Sequence, residues 1–413
     1  MKKTSSPVVT VLLITLSAGC TFGGQNTHRA ANMKSSHQTL SDHDLYDKIY
    51  GAMYGKCIGL ALGQPVEGNP KDTIEKKLRQ VDAYPLEYYF PDNFPTNHKK
   101  FLQGNLDGAP PNDDTTLMMA SLLALRDKGI NLTARDIAQA WLDYVKGGCT
   151  AEGVALANLK KGLWPPQSAI VDNPYRQWIG AQMKAEIWGM IAPAMPKVAA
   201  HYAEQDAMVT HIRNGIYGAQ FIAAAVSIAM IENDPRTVLT QALKVIPPNS
   251  EYARIIQDAI TCFDQGKSWQ QAWTVLDQRY GYNDDGTRNG KFPEEKYNTQ
   301  KGLYKWGNWR WVHVIPNGGA CALAILYGQR DFSKSICIAT MCGYDADCNA
   351  GTVGSVIGAM LGEKQIPEKW KTPIHDDFNP GLTKVMPEKI KISHLAKEIT
   401  GYAMQVIKNN QKK

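Results

Sequence analysis

The sequence predicts an all-α fold, and three observations support that class. Apolar side chains recur every three or four positions, the spacing of one helix face, as in Leu45, Ile49, Met53 and Leu60. Stretches that alternate apolar and polar residues, the pattern of half-buried strands, are scarce. The 413-residue chain has no low-complexity linker beyond its N-terminal segment, so one large domain over residues 44–405 is the simplest organisation.

The first 19 residues have the pattern of a secretory signal. A basic start precedes an apolar run over residues 8–16 and a short stretch of small residues. This run is too short to cross a membrane as a helix. Its end resembles a bacterial lipoprotein signal, which predicts that Cys20 is lipidated and becomes the mature N-terminus; an ordinary cleaved signal peptide is the alternative. Residues 20–43 are polar and predict a flexible tether. We therefore expect a lipid-anchored protein of the bacterial periplasm or outer membrane.

Charge and cysteine content exclude two classes of protein. Lys and Arg number 45 against 39 Asp and Glu, a net charge of +6, and the basic residues are spread along the chain. This distribution does not indicate a nucleic-acid-binding surface. Of the eight cysteines, Cys20 belongs to the export signal, and several of the others lie in apolar stretches, as buried thiols do. The odd remainder does not suggest a disulfide framework.

Glycine recurs at every fourth position in two predicted helices, over residues 51–63 and 354–362. Each such glycine costs up to about 1 kcal/mol relative to alanine. The cost is consistent with helices that approach each other closely, or with a ligand that touches their backbone. A membrane dimerisation motif is the competing interpretation, but Lys56, Gln64 and Glu67 interrupt the apolar run.

Two acidic pairs, Asp113 with Asp114 and Asp345 with Asp347, occupy similar settings far apart in the chain. Each lies between a polar turn and a run of small and apolar residues. Hard divalent cations need several oxygen ligands, and one loop seldom supplies enough carboxylates. The pairs therefore predict a split metal site, provided that the fold brings them together.

Each pair also has a structural interpretation as the start of a helix. Asn112 is a good helix cap, and acidic residues are favoured in a first turn. A helix N-terminus disfavours a cation unless nearby carboxylates reverse the local field, which four carboxylates would do. An EF-hand is excluded for the second pair, because Ala350 replaces its glycine and Val356 its closing glutamate.

Four stretches together resemble the ADP-ribosylglycohydrolase family: residues 51–67, 112–115, 181–230 and 343–349. The combination is specific, although no single stretch would be. The resemblance implies a compact orthogonal bundle of α-helices with a cleft that holds two metal ions, usually Mg²⁺.

The ligands that the resemblance implies are Asp113, Asp114, Asp345 and Asp347, with Asp114 also counted as catalytic. The sequence departs from the family at two supporting positions, where Asn112 and Cys348 replace hydroxyl residues. A thiol is a poor ligand for magnesium. The sequence therefore supports a second bound ion less well than the first. One ion could bind weakly, water could complete its coordination shell, or a softer metal could be preferred.

Glu67 matches the family's glutamate beside the metal centre. Cleavage of a glycosidic bond requires a carboxylate near the anomeric carbon. Metal ions could orient a vicinal diol and activate a water molecule for attack. We assign Glu67 to general acid/base work or to water positioning; an acid in a surface turn is the alternative.

Three further residues are candidates for substrate binding. His211 and Asn214 lie on a segment rich in small residues, which leaves space for a ligand, although a histidine can equally be a structural hydrogen-bonding residue. Trp311, with Trp306 and Trp309, could form a stacking wall for a base or sugar, and core packing is the alternative for these aromatic residues.

The predicted activity is metal-dependent hydrolysis of an N- or O-glycosidic bond outside the inner membrane. The substrate would be a small molecule or glycan, either an ADP-ribosyl conjugate or another sugar, with no nucleic acid involved and no membrane contact beyond the lipid anchor. The alternative is a sugar- or nucleotide-binding lipoprotein with weak or no catalytic activity. Retention of all four aspartates and Glu67 argues against that alternative, because unpaired buried carboxylates are costly.

Overall fold

The computed structural model describes residues 40–281, 310–382 and 384–411, and these residues are mainly helical. The predicted all-α class is confirmed. The α-helices are, in chain order, α1 (Asp42–Gly63), α2 (Lys71–Arg79), α3 (Asp113–Lys128), α4 (Ala134–Tyr144), α5 (Thr150–Lys160), α6 (Gln167–Ile170), α7 (Glu186–Met190), α8 (Pro196–Ala207), α9 (Asn214–Ala229), α10 (Pro235–Ala242), α11 (Glu251–Asp264), α12 (Trp269–Tyr280), α13 (Val314–Gly328), α14 (Phe332–Met341), α15 (Ala346–Leu361), α16 (Glu368–Lys371) and α17 (Ile392–Asn410).

Short 3-10 turns and one small sheet complete the described structure. The 3-10 turns are Gln64–Val66, Lys99–Phe101, Gly129–Asn131, Ile179–Lys184, Leu243–Val245, Arg310–Val312 and Glu363–Gln365. The strands β1 (Asp377–Phe378) and β2 (Ile390–Lys391) pair antiparallel, with Asp377 opposite Lys391. Within these ranges no helix combines the length and the apolar character needed to cross a membrane.

Four helices, α1, α9, α13 and α15, form the interior. Every residue of α15 is buried, and α13 is buried except for Tyr327. A helix built from small and apolar residues on all sides belongs in a core, because it has no polar face to turn toward water. The peripheral helices, such as α4 and α11, have one apolar face packed on this interior.

The glycine-rich segments are the two closest-packed helices, α1 and α15, which run antiparallel. A Cβ atom built on Gly51, Gly55 or Gly59 would overlap backbone oxygen atoms of α15, at Gly358, Gly354 and Ala350 respectively. The absence of side chains thus lets the two backbones touch. The prediction of close helix contact is confirmed, with a second helix as the partner.

Buried thiols occupy the core as predicted. Seven cysteines fall within the described ranges, all of them as free thiols, and only Cys149 among them is exposed. The predicted signal peptide, the lipidation site at Cys20 and most of the tether lie outside the described residues.

Candidate active site

The antiparallel pairing of α1 and α15 builds the centre of the candidate site. Gly63, at the end of α1, lies directly against Ala346 and Asp347 in the first turn of α15. The chain then turns through residues 64–66, so Glu67 reaches the acidic residues at the start of α15. Two segments that are distant in sequence therefore meet because glycine permits the contact.

Acidic residues from three segments converge at this point. Glu67, Asp345 and Asp347 offer ligand atoms within 4.8 Å of one another, and so do Asp114, Asp347 and Cys348. Asp347 belongs to both groups. The predicted convergence of distant acids is thus present, with Glu67 as an additional member. Asp113 belongs to neither group and lies exposed at the edge of the site.

Asp345 and Asp347 each present an oxygen atom without a protein partner. Oδ1 of Asp345 and Oδ1 of Asp347 accept no hydrogen bond within the part of the chain that the structure describes. The two residues are only 4% and 2% exposed. Asp345 stands at the N-cap position of α15, yet its side chain makes no capping hydrogen bond. Because unpaired buried carboxylates are costly, these oxygen atoms fit a bound cation better than a helix cap.

Burial and repulsion between neighbouring carboxylates raise the pKa of Asp345 and of Glu67. Burial, the charge of Asp347 and a hydrogen bond shared with Asp347 raise the pKa of Asp345 well above its ordinary value. Burial, then the charges of Asp347 and Asp113, raise the pKa of Glu67 to about 8. Carboxylates that repel one another in this way are returned to their ionised forms by a divalent cation.

Asp114 is held differently, because protein groups occupy both of its oxygen atoms. Lys56 donates to Oδ1 at 2.8 Å, and the thiol of Cys348 donates to Oδ2 at 3.1 Å. Lys56 is fully buried and also pairs with Glu186 at 3.0 Å. Burial opposes the charge of Lys56, but Asp114 and Glu186 outweigh it and raise the pKa of Lys56 above its ordinary range. Burial also raises the pKa of Asp114, to about 8, against the opposing effect of Lys56.

Asn112 connects the two acidic segments. Its Oδ1 accepts from the backbone N–H of Asp114 at 2.9 Å, which makes it the predicted cap of α3. This bond fixes the orientation of the amide, so Nδ2 faces inward and donates to Asp347 and to Gln64, each at 2.9 Å. Gln64 in turn donates from Nε2 to Oε2 of Glu67. A chain of amides thus orients two of the acids.

Asn317 fixes the turn that carries the second acidic pair. Its Oδ1 accepts from the backbone N–H of Asp345 at 3.0 Å and from Asn349 at 2.7 Å. Its Nδ2 donates to the carbonyl oxygens of Trp311 and His313. The half-buried ring of Trp311 lies against Gly68, beside Glu67. Trp311 is therefore adjacent to the acidic centre, while Trp306 and Trp309 lie outside the described residues.

A cleft of about 500 Å³ opens beside Asp113 and includes Asn112, Cys149 and Glu152 in its lining. Burial raises the pKa of Glu152 to about 7. Its Oε2 accepts from Thr150 at 3.0 Å, and its Oε1 lies 3.9 Å from Nε2 of His211. The cleft gives solvent access to the Asp113 edge of the site.

His211 and Asn214 are both buried and contact other protein groups. Nδ1 of His211 lies 2.7 Å from the hydroxyl of Thr210, and burial lowers the pKa of His211 to about 3. Asn214 bonds to Gln177 and accepts from the backbone of Tyr252. His211 therefore lies beside Glu152. Asn214 lies in the contact between α9 and α11. Direct substrate contact by either residue stays a prediction.

The sequence alone does not single out Lys56, Glu186 or Glu152 as site residues. Lys56 stands out only as a charge within a glycine-rich apolar helix. That pattern is a usable signal, because a lysine is almost never fully buried without a partner. Glu186 and Glu152 have no comparable signal, since their partners come from distant segments.

Comparisons with known proteins agree on one family. The sequence profile described as ADP-ribosylglycohydrolase matches residues 41–406. An uncharacterized protein of Archaeoglobus fulgidus is 23% identical over 339 residues, covering 80% of this chain and 92% of that protein. A solved structure described as an ADP-ribosylglycohydrolase-related protein complex is similar in fold, with a TM-score of 0.52 and 18% identity over 88% of this chain and 98% of that one.

Proposed function

The chain belongs to the ADP-ribosylglycohydrolase family, and on that premise we propose that it is a metal-dependent enzyme that hydrolyses a glycosidic bond. The substrate would carry an ADP-ribosyl-like or other sugar. One observation carries the proposal: Asp345 and Asp347 each have a buried oxygen atom without a partner, and their carboxylates lie in one group with that of Glu67. An oxygen-only ligand set of this kind suits a hard cation such as Mg²⁺.

A bound cation would supply two kinds of chemistry, orientation of a vicinal diol on the sugar and a lowered pKa for a water molecule. Glu67 supplies the proton transfer. Gln64 donates to Oε2 of Glu67, which leaves Oε1 free for proton transfer. With the cation bound and the carboxylates ionised, Glu67 can accept a proton from the attacking water and then pass that proton to the leaving group.

The residues around the acidic centre would position the substrate. Trp311 lies beside Glu67 with part of its ring accessible, which suits stacking against a sugar or base. Asp113 lies at the open edge next to the cleft. Asn317 accepts from the backbone N–H of Asp345, and the amide of Asn112 donates to the carboxylate of Asp347. These bonds fix the turn that carries Asp345 and the orientation of Asp347.

The location of the reaction is part of the proposal. The basic and apolar N-terminal segment ending at Cys20 supports export and lipid anchoring. Cytosolic acceptor proteins would then be out of reach. Exported ADP-ribosyl conjugates, scavenged nucleotides or polysaccharide fragments with pentosyl or hexosyl linkages are the substrates that fit this compartment.

A substrate panel tests the proposal. The purified mature protein would be incubated with ADP-ribosyl conjugates and aryl glycosides, with Mg²⁺ and with a chelator. We expect product only with metal, and a large loss of kcat in Glu67→Gln. Equal turnover in the chelator, or an unchanged rate in Glu67→Gln, would contradict the proposed mechanism. Sugar binding without turnover of any substrate would favour the alternative, a binding lipoprotein.

A further inference from the structure

We propose that this centre binds one divalent cation rather than two, on the side of Glu67, and that Lys56 supplies a built-in positive charge on the side of Asp114. The inference rests on the proposed function for the presence of a cation. It adds the number and place of the ion, and it assigns to Lys56 the charge that a second ion would otherwise carry.

Asp114 offers no free oxygen atom to a cation, and the unpartnered Oε2 of Glu186 belongs to a carboxylate that already pairs with Lys56. Both oxygen atoms of Asp114 accept hydrogen bonds, from the Lys56 ammonium at 2.8 Å and from the Cys348 thiol at 3.1 Å. A cation bound to Asp114 would displace a donor and would lie beside a second positive charge in a water-excluded region. Like charges repel strongly there, because the effective dielectric constant is low.

Asn112 and Cys348 add no oxygen ligand on that side. The backbone N–H of Asp114 fixes Asn112 so that its amide nitrogen, not its oxygen, faces inward. An N–H₂ group has no lone pair to offer a metal ion. Cys348 offers only sulfur, which is a soft ligand. The two departures from the family pattern therefore both remove ligands from the same side.

Lys56 cannot easily leave this position. It is fully buried, and besides Asp114 its ammonium bonds to Glu186 at 3.0 Å and to the carbonyl oxygen of Met183 at 2.6 Å. Thr352 donates to the same oxygen of Glu186 at 2.7 Å. All three donor positions of the ammonium are thus used, and its orientation is fixed.

The Glu67 side, in contrast, has oxygen atoms that accept no hydrogen bond in the described part of the chain. Asp345 and Asp347 are more than nine-tenths buried, each has an Oδ1 without a partner, and both belong to the group of acids that includes Glu67. The net charge would also be the same on the Glu67 side and on the Asp114 side. Three carboxylates would face one divalent ion, while Asp114 and Glu186 face one ammonium, so each side would keep a single negative charge when all are ionised.

Binding of Mn²⁺ as a magnetic substitute for Mg²⁺ tests the number of ions. Equilibrium dialysis of the mature protein is expected to give one Mn²⁺ per chain, with the low-temperature EPR spectrum of an isolated ion. Two ions per chain, or the spectrum of an exchange-coupled pair, would overturn the inference while leaving metal-dependent hydrolysis intact. No bound Mn²⁺ would overturn both. One bound Mn²⁺ without turnover of any substrate would support the inference and contradict only the proposed function.

A matched pair of isosteric variants tests the place of the ion. We expect Asp345→Asn to weaken Mn²⁺ binding by roughly 10- to 100-fold or more, as losses around metal sites do. Asp114→Asn is expected to keep one ion with an affinity within a few-fold of the original. The reverse ranking would place the ion on the Asp114 side and overturn the inference.

The role of Lys56 is tested by a double substitution that leaves one buried carboxylate without a counter-charge instead of two. In Lys56→Met with Glu186→Gln, only Asp114 is left without a counter-charge, and we expect the folded variant to bind a second Mn²⁺. A folded variant that still binds one ion would overturn the assignment of Lys56. If circular dichroism shows that the double variant does not fold, the comparison of Asp345→Asn with Asp114→Asn decides on which side the ion binds.

Discussion

At the scale of single residues, the site depends on how several buried acids avoid repelling one another. Three solutions occur side by side. The ammonium of Lys56 pairs with both Asp114 and Glu186. The amides of Asn112 and Gln64 donate to Asp347 and Glu67. The unpartnered oxygen atoms of Asp345 and Asp347 would be ligands of the proposed cation, so that ion would stabilise the folded protein as well as take part in catalysis.

Removal of Lys56 should destabilise the protein strongly. Lys56→Met leaves Asp114 and Glu186 buried without a counter-charge, and breaking a buried pair in this way costs about 3–5 kcal/mol. Urea unfolding of the metal-free protein measures the loss. Lys76→Met, on the exposed side of α2, is the matched control and should change the free energy of unfolding by less than about 0.5 kcal/mol. Similar effects of the two substitutions would contradict the buried ion pair.

The stability of the metal-free protein should fall as pH rises. The pKa of Glu67 is raised to about 8, that of Glu152 to about 7, and that of Asp345 well above its ordinary value. The folded state therefore binds more protons than the unfolded state, so this contribution to stability is complete below the ordinary carboxyl pKa and is lost as pH rises toward about 8. Each group contributes a slope of up to about 1.4 kcal/mol per pH unit.

Thermal unfolding in a chelator between about pH 5 and about pH 8 measures this effect. We expect Tm to decrease across that window, and we expect Mg²⁺ to raise Tm more at the upper end, because a cation displaces the bound protons. A Tm that rises with pH in the chelator would show that these carboxyls are ionised without metal.

At the scale of secondary-structure elements, the contact of α1 with α15 sets the position of Glu67. Glu67 meets Asp345 and Asp347 only because Gly63 allows the end of α1 to touch the start of α15. The N-termini of α3 and α15 both point into the site, and their partial positive charges favour the carboxylates there. Helix packing thus supplies both the geometry and part of the field.

A methyl group in this contact should be destabilising. In Gly55→Ala, the new Cβ would overlap the carbonyl oxygen of Gly354, and overpacking of this kind costs about 1–3 kcal/mol or more. Because the helices would separate, Mg²⁺ affinity should fall as well. Gly401→Ala, in α17, is the control: no atom lies within 4 Å of its added Cβ, so the change should stabilise by up to about 1 kcal/mol. Urea midpoints of both variants give the comparison, and a neutral Gly55→Ala would contradict the close helix contact.

At the scale of the whole molecule, periodicity and glycine spacing were sufficient to predict the all-α class and the close helix pair. The convergence of Asp114, Asp345 and Asp347 also follows from the sequence, because similar acidic helix starts suggested a shared site. The neighbours of Asp114 could not be predicted in the same way. Whether Lys56 faces Asp114, and which atom of Asn112 points inward, depends on rotations about helix axes that sequence spacing does not determine.

Because the proposed ligands come from segments near opposite ends of the domain sequence, cation binding should stabilise the whole fold rather than one loop. A ligand that binds only the folded state adds about 2.7 kcal/mol at a concentration 100-fold above Kd. Tm should therefore rise by a few degrees with Mg²⁺ and continue to rise with its logarithm, in a single transition. Asp345→Asn should abolish the rise, whereas Asp72→Asn, an exposed acid on α2, should retain it. An equal rise in both variants would mean that Mg²⁺ acts on the protein surface, and the convergence of acids at the end of α1 would then have a purely structural role.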